Sequence, residues 1–279
     1  MRSTQAGRAK RTTVLVTIAL LAVVFVAMSP FIWTLMAATK PTNIAFANPP
    51  HFLFQPTLDA FVNLWQTTDF YRYTLNTLAI GAMSVLGTLV FAAPAAYALS
   101  RFGGKTSAII LAFALLIRSI PGFAIMLPFY EFATTLGLYD TKLALTVAFI
   151  AVDLPFTIWL LRNFFAAIPP ELDEAAMIDG CSRWGAFRRV ILPLMQPGLV
   201  TAGLLTFLLA FQSFLLPVVL ADVDSQTVPV FLSTQIGQSL PLLQQAAAGV
   251  VLLTLPVLIL ALLAQRYLVA GLAAGAVKG

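Results

Sequence analysis

Hydrophobic positions in this chain fall in long unbroken runs, not in the alternating or one-sided patterns of soluble strands and helices. Six runs near Thr13–Met36, Leu75–Leu99, Ser107–Phe129, Thr141–Leu161, Pro197–Leu220 and Ala247–Ala270 approach or exceed the roughly 20 apolar residues that a helix needs to cross a core about 30 Å thick. The first run is too long for a signal-peptide core and lacks a small-residue cleavage site, so a retained helix is expected. Pro30, Pro94, Pro121, Pro155 and Pro256 lie inside the runs and predict kinked helices. Neighbouring helices in a bundle can re-satisfy the freed backbone groups. Such bends suit a pathway-lining bundle and serve plain packing equally well.

Composition fixes the class. Of 279 residues 60% are hydrophobic and only 10% charged, with mean hydropathy +0.93, where a soluble domain carries about 25% charged residues. The surplus must face lipid, which makes this an all-α polytopic membrane protein. The lone Cys181 excludes a disulfide framework or a cysteine metal cluster, and the lone His51 argues against a histidine metal site. No set of nucleophile, base and metal ligands is left to build a membrane enzyme, and the basic residues are too scattered for nucleic acid.

Lysine and arginine set the orientation. With the N-terminus inside, 12 of the 16 basic residues fall in inner segments, Lys40, Arg72 and Lys142 fall in outer ones, and Arg118 falls within a span. The positive-inside rule then predicts both termini in the cytoplasm. The outer segment from Lys40 to Tyr73 is long and proline-rich, enough to touch something beyond the membrane. The inner segment at about 164–196 is polar and much longer than a turn, whereas the tail 271–279 is short.

That inner loop carries the most information. Pro170 with Glu171, Asp173 and Glu174 suits a helix start, Gly180 suits the left-handed position after a helix, and Ser182 suits the cap of a second short helix that Pro193 would stop. Ala175 and Ala176 would let a partner approach the backbone. An amphipathic pair lying on the inner leaflet is disfavoured, because acidic residues repel anionic lipid. A soluble protein partner is the better explanation.

The residues also resemble a family. Glu174-Ala175-Ala176, then Asp179-Gly180, then Val190-Ile191-Leu192-Pro193 is similar to the EAA loop of binding-protein-dependent ABC importer permeases. Thr39-Lys40-Pro41, Ala95-Ala96-Tyr97-Ala98-Leu99-Ser100-Arg101-Phe102, Ile168-Pro169-Pro170-Glu171-Leu172 and the tail Gly271–Gly279 resemble carbohydrate permeases, the smaller maltose-type subunit above all. The resemblance implies six transmembrane helices in one importer domain, with the coupling loop between spans four and five. It implies docking through Glu174, Ala175, Ala176, Asp179, Gly180, Leu192 and Pro193 to a dimer of a separate ABC ATPase. It further implies a second homologous permease subunit, an external solute-binding protein, a sugar substrate and a bacterial plasma membrane. ATP and Mg would be used by the partner, with no cofactor on this chain. Gly104-Lys105-Thr106 only imitates a phosphate loop, because the glycine required five residues earlier is Leu99.

The chain departs from the family at Phe211-Gln212-Ser213-Phe214, where an acidic residue is usual. Phe211, Gln212 and Ser213 are candidates for the substrate path, with an interhelical hydrogen bond as the competing role of the polar pair. Arg118 and Asp153 lie at matching depths on consecutive spans, ~16 Å and ~12 Å from the inner surface at 1.5 Å per residue. They predict either a buried ion pair or an arginine that meets the solute alone. Another polar solute, or an ion-coupled secondary transporter, stands as the alternative function; the latter would need its own coupling-ion site and repeated halves.

Overall fold

The computed structural model describes the backbone of residues 2–237 and 239–276 and, within these, the side chains of 13–237 and 239–265. In chain order the helices are α1 (Arg2–Thr39), α2 (Asp59–Thr67), α3 (Phe70–Arg101), α4 (Lys105–Arg118), α5 (Gly122–Thr135), α6 (Lys142–Ala166), α7 (Glu171–Ile178) and α8 (Arg183–Ala186). A π-turn at Phe187–Ile191 follows, then α9 (Leu192–Leu194), α10 (Gln196–Phe211), α11 (Leu215–Leu220), α12 (Val228–Gln235) and α13 (Leu240–Ala276). No strand occurs among the described residues.

Four continuous stretches are long and apolar enough to cross a membrane: Thr13–Thr39, Phe70–Arg101, Lys142–Ala166 and Leu240–Gln265. The other two expected spans differ from a simple reading of the runs. The third is broken into α4 and α5, bent by 87°. Pro121 therefore caps α5, with ψ 134°, and does not sit inside a helix. Its ring disfavours helical backbone at the preceding residue and it has no N–H to continue the ladder. The fifth run also breaks, with α10 ending at Phe211 and α11 beginning at Leu215. Pro30, Pro94, Pro155 and Pro256 do lie inside helices. Pro193 does not stop the second loop helix: the chain continues helically to Leu194, and the bend, 76°, comes before α10. The π-turn just before it explains the tolerance, since Leu192 N–H already bonds back to Phe187 and helix geometry is locally reset. The expected tail is helical through Ala276; 277–279 lie outside the described residues.

The described residues gather into two compact units, one running up to Thr68 with Gln235–Leu252, the other Asp69–Thr234 with the chain from Leu253. In the first, Lys40 is 3% exposed, its Nζ lying 5.6 Å from the Trp33 ring and 5.4 Å from that of Phe54. Gln244 Nε2 donates to the Lys40 carbonyl. Thr13 to Trp33 of α1 is exposed along its whole length.

The second unit is built on α3 and α6. Ile80 clusters with Leu145 and Phe149, whereas Ala93 and Ala96 cluster with Leu161 and Phe165. The two helices therefore run side by side in the same direction, which the intervening α4–α5 crossing makes possible. α10 runs opposite to them, with Ala210 in the first cluster and Ala202 in the second. Gly81 sets the closeness of α3 to α10: a Cβ there would lie 2.9 Å from Phe207 Cε2. Small residues at helix crossings do the same throughout membrane bundles.

Candidate functional site

The polar loop between α6 and α10 is built by local capping. Pro170 precedes α7 with φ −65°, and Glu171, Asp173 and Glu174 occupy its first turn, at the positive end of the helix dipole. Gly180 takes φ 87°. Its N–H donates to Met177 O at 3.1 Å and Cys181 N–H donates to Ala176 O at 3.0 Å, the paired bonds of a Schellman stop. A Cβ at Gly180 would meet nothing within 4 Å, so the constraint there is the backbone alone. Ser182 Oγ accepts from Gly185 N at 3.1 Å and starts α8.

The surface this produces only partly matches the expected docking set. Glu174, Ala175, Asp179, Gly180 and Pro193 are exposed, and Leu192 is half-buried. Ala176 is turned inward at 6% exposure, because it lies one turn after the buried Asp173 and shares its face. Apolar residues that were not anticipated also belong to the exposed surface, Ile178 at 86% and Trp184 at 61% the most exposed of them. Their signal was present, since large apolar side chains inside a polar loop have no lipid to face.

Within the spans the structure brings Arg118 and Asp153 together. Arg118 closes α4, where a cation is favoured by the helix dipole. Its Nη1 donates to Asp153 Oδ1 at 3.3 Å and to Val152 O at 3.2 Å. The guanidinium also lies 5.0 Å from the Phe156 ring, which stacks on Trp159 at 6.0 Å. The Asp153 side chain is 5% exposed and that of Arg118 29%. Asp153 Oδ2 is buried without a partner among the described residues. Arg118 thus lies over the Phe156 ring and is partly exposed, held on its other side by the Asp153 carboxylate.

The other path candidates separate. Gln212 and Ser213 occupy the break between α10 and α11, with Gln212 exposed and Ser213 half-buried. Phe211 is 2% exposed and stacks on Phe207 at 5.1 Å. It is a packing residue in this structure and does not line an open surface, because α10 still runs helically at 211 and turns that side chain toward its own neighbour.

A second polar centre was not legible beforehand. Asp140, with φ 55°, accepts from the backbone N–H groups of Asp222, Asp224 and Ser225 at 2.8–2.9 Å and from Ser225 Oγ at 2.8 Å. Asn76 Nδ2 donates to Asp224 O and Gln226 O, each at 3.0 Å, and Thr77 Oγ1 accepts from Val228 N at 2.9 Å. Arg72 pairs with Asp224. The segment 221–227 is therefore pinned from both α3 and the turn before α6. Burial works to raise the Asp140 carboxyl, but the four donors outweigh it and hold the group below its ordinary value.

Two of the expected spans are broken, Arg118 and Ser119 stand at one break and Gln212 and Ser213 at the other, and the helical loop between α6 and α10 is exposed, which together describe a polytopic all-α membrane chain. The chain belongs to the family of binding-protein-dependent transport system inner membrane components, whose pattern matches residues 88–273. It is 36% identical to the probable ABC transporter permease protein y4oR of Sinorhizobium fredii, over 91% of each chain. It is 35% identical to the diacetylchitobiose uptake system permease protein DasC of Streptomyces coelicolor, over 90% of this chain and 91% of that one. It is also 34% identical to the trehalose/maltose transport system permease protein MalG of Thermococcus litoralis, over 95% and 97%. Its fold is similar to a chain in the crystal structure of a bacterial ABC transporter involved in import of the acidic polysaccharide alginate, with TM-score 0.75, 24% identity and coverage of 93% and 98%.

Proposed function

We propose that this chain acts as a single transmembrane domain forming one half of the pathway of an ATP-driven, binding-protein-dependent sugar importer in a bacterial plasma membrane, with both termini cytoplasmic. The other half is a homologous permease subunit, and a solute-binding protein delivers the sugar from outside. The chain itself is not an enzyme: a dimer of a separate ATPase uses ATP and Mg on the cytoplasmic side. The likeness to the diacetylchitobiose permease DasC and the trehalose/maltose permease MalG supports a saccharide as substrate. Arg118, Gln212 and Ser213 contribute to the path, since a partly exposed charge at membrane depth must meet water, solute or a partner chain in preference to lipid.

The observation that carries this reading is the loop between α6 and α10, where Glu174 and Ala175 stand outward beside the left-handed Gly180. That surface, with Ile178 and Trp184 exposed at its edge, fits a cleft on a soluble protein. The test is copurification together with transport. Glu174→Arg is expected to lower recovery of the ATPase with the permease. Gly180→Val, which forces a β-carbon into the left-handed region at about 1–2 kcal/mol, is expected to leave the chain inserted while transport is lost. Full ATPase recovery and normal transport in both variants would refute the docking role.

A further inference from the structure

A single carboxylate ties the docking helix to the membrane helices. Asp173 is the third residue of α7 and is 6% exposed, on the side away from Glu174 and Ala175. Its Oδ2 accepts from Arg101 Nε at 2.7 Å and its Oδ1 from the Tyr97 hydroxyl at 2.5 Å. Arg101 closes α3, and Tyr97 lies one turn earlier on the same face. The same guanidinium donates Nη1 to the Phe165 carbonyl at 3.1 Å, near the end of α6. Arg101 therefore joins three elements. The Tyr97 ring adds an apolar tie, with centroids 5.7 Å from Phe165 and 4.9 Å from Phe187 of the π-turn.

A buried ion pair adds little net stability, because desolvation offsets most of its attraction. What it supplies is geometry. Two short charge-assisted bonds to one carboxylate leave α7 little freedom to slide or roll against α3. An apolar contact would hold the loop without fixing that register. Arg101 Nη2 is moreover buried with no acceptor among the described residues, a cost that a displaced α7 bringing a second acceptor would relieve.

We propose that Asp173, Arg101 and Tyr97 are positioning residues that pass movement of the docking helix into α3 and α6. The proposal rests on the docking reading above. α3 is a continuous 32-residue helix, so a displacement at Arg101 is carried to Asn76 and Arg72 at its other end. α6, gripped at Phe165, carries Asp153. One link at the loop thus reaches both the intramembrane pair and the far polar centre.

The test is the assembled transporter in proteoliposomes, read as solute moved per ATP hydrolysed. Arg101→Met and Asp173→Asn are expected to keep the ATPase bound and hydrolysing while this ratio falls ~5-fold or more, the scale of a typical coupling between sites. Arg101→Lys, which keeps the charge on a single donor nitrogen but loses the planar fork, is expected to recover part of the ratio. The Arg101→Met/Asp173→Leu double variant is expected to be no worse than Arg101→Met, because the link is already cut. A merely structural pair would lower the yield of complex and leave the ratio unchanged, and that result overturns the proposal. If Arg101→Met does not assemble, Tyr97→Phe and Asp173→Asn decide by the same ratio, since each alters one bond at nearly constant volume. Glu174→Arg separates the two ideas. Loss of ATPase there with normal ratios in the Asp173 variants keeps the dock and removes the link; normal ATPase recovery in Glu174→Arg removes the dock itself.

Discussion

Asp140 shows how much one side chain can organise. A non-glycine residue at φ 55° is unusual, and here the conformation aims the carboxylate at three backbone donors of the 221–227 segment, those of Asp222, Asp224 and Ser225. Neighbouring Thr141, not Asp140, caps α6 through Ala144 N, which leaves the aspartate free for this work. Because its folded-state value is lowered, the stabilisation is intact above the unfolded value of about 3.9 and is lost as the pH falls through the still lower folded value. Hydrogen exchange at Asp222, Asp224 and Ser225 should therefore show protection at pH 6 that weakens only in strong acid. Asp140→Asn should weaken that protection already at pH 6 and abolish its acid dependence, at a cost on the order of 2 kcal/mol once solvent screening is allowed for. Unchanged exchange in the variant would show that the segment holds itself. The sequence offered no sign of this centre, since its partners lie more than eighty positions away in the chain.

Among the elements, the broken third span is the instructive one. Ser107–Phe129 reads as one apolar helix, yet Ser119, Ile120 and Pro121 turn it by 87°. The proline marked a kink but not its size, which depends on what covers the freed backbone. The break places Arg118 at a helix end, beside Asp153 of α6. If that contact ties α4 to α6, Arg118→Met and Asp153→Leu should each lower thermal stability of the purified complex, by about 3 kcal/mol for a stranded buried charge. The double variant should recover much of the loss. Additive losses in the cycle would instead mean that each residue serves a separate partner.

At the scale of the molecule, α1 exposes Thr13 to Trp33 to its surroundings, and that apolar length must be covered by lipid or another chain. Orientation is the property on which the proposed assembly depends most. Cys181 is the chain's one cysteine and is partly exposed in the loop, so it serves as a natural reporter. A membrane-impermeant maleimide should label it in inverted vesicles and not in intact spheroplasts. Labelling from the outside would reverse the topology and detach the loop from any cytoplasmic ATPase.

The sequence by itself determined the membrane class, the number and order of apolar runs, and the caps of the loop between α6 and α10. Each of these is set within one helix length: hydropathy summed over about 20 residues, a proline and acids at a start, a glycine at φ > 0 at a stop. It also placed Arg118 and Asp153 at a common depth, because rise per residue is constant along a helix. Only the tertiary structure decided which side of α7 faces outward, turning Ala176 in and leaving Ile178 and Trp184 out. It likewise joined Asp173 to Arg101 and Tyr97, pinned 221–227 on Asp140 and Asn76, and laid Phe211 on Phe207. These features depend on which residues from distant parts of the chain meet, and no local spacing encodes that.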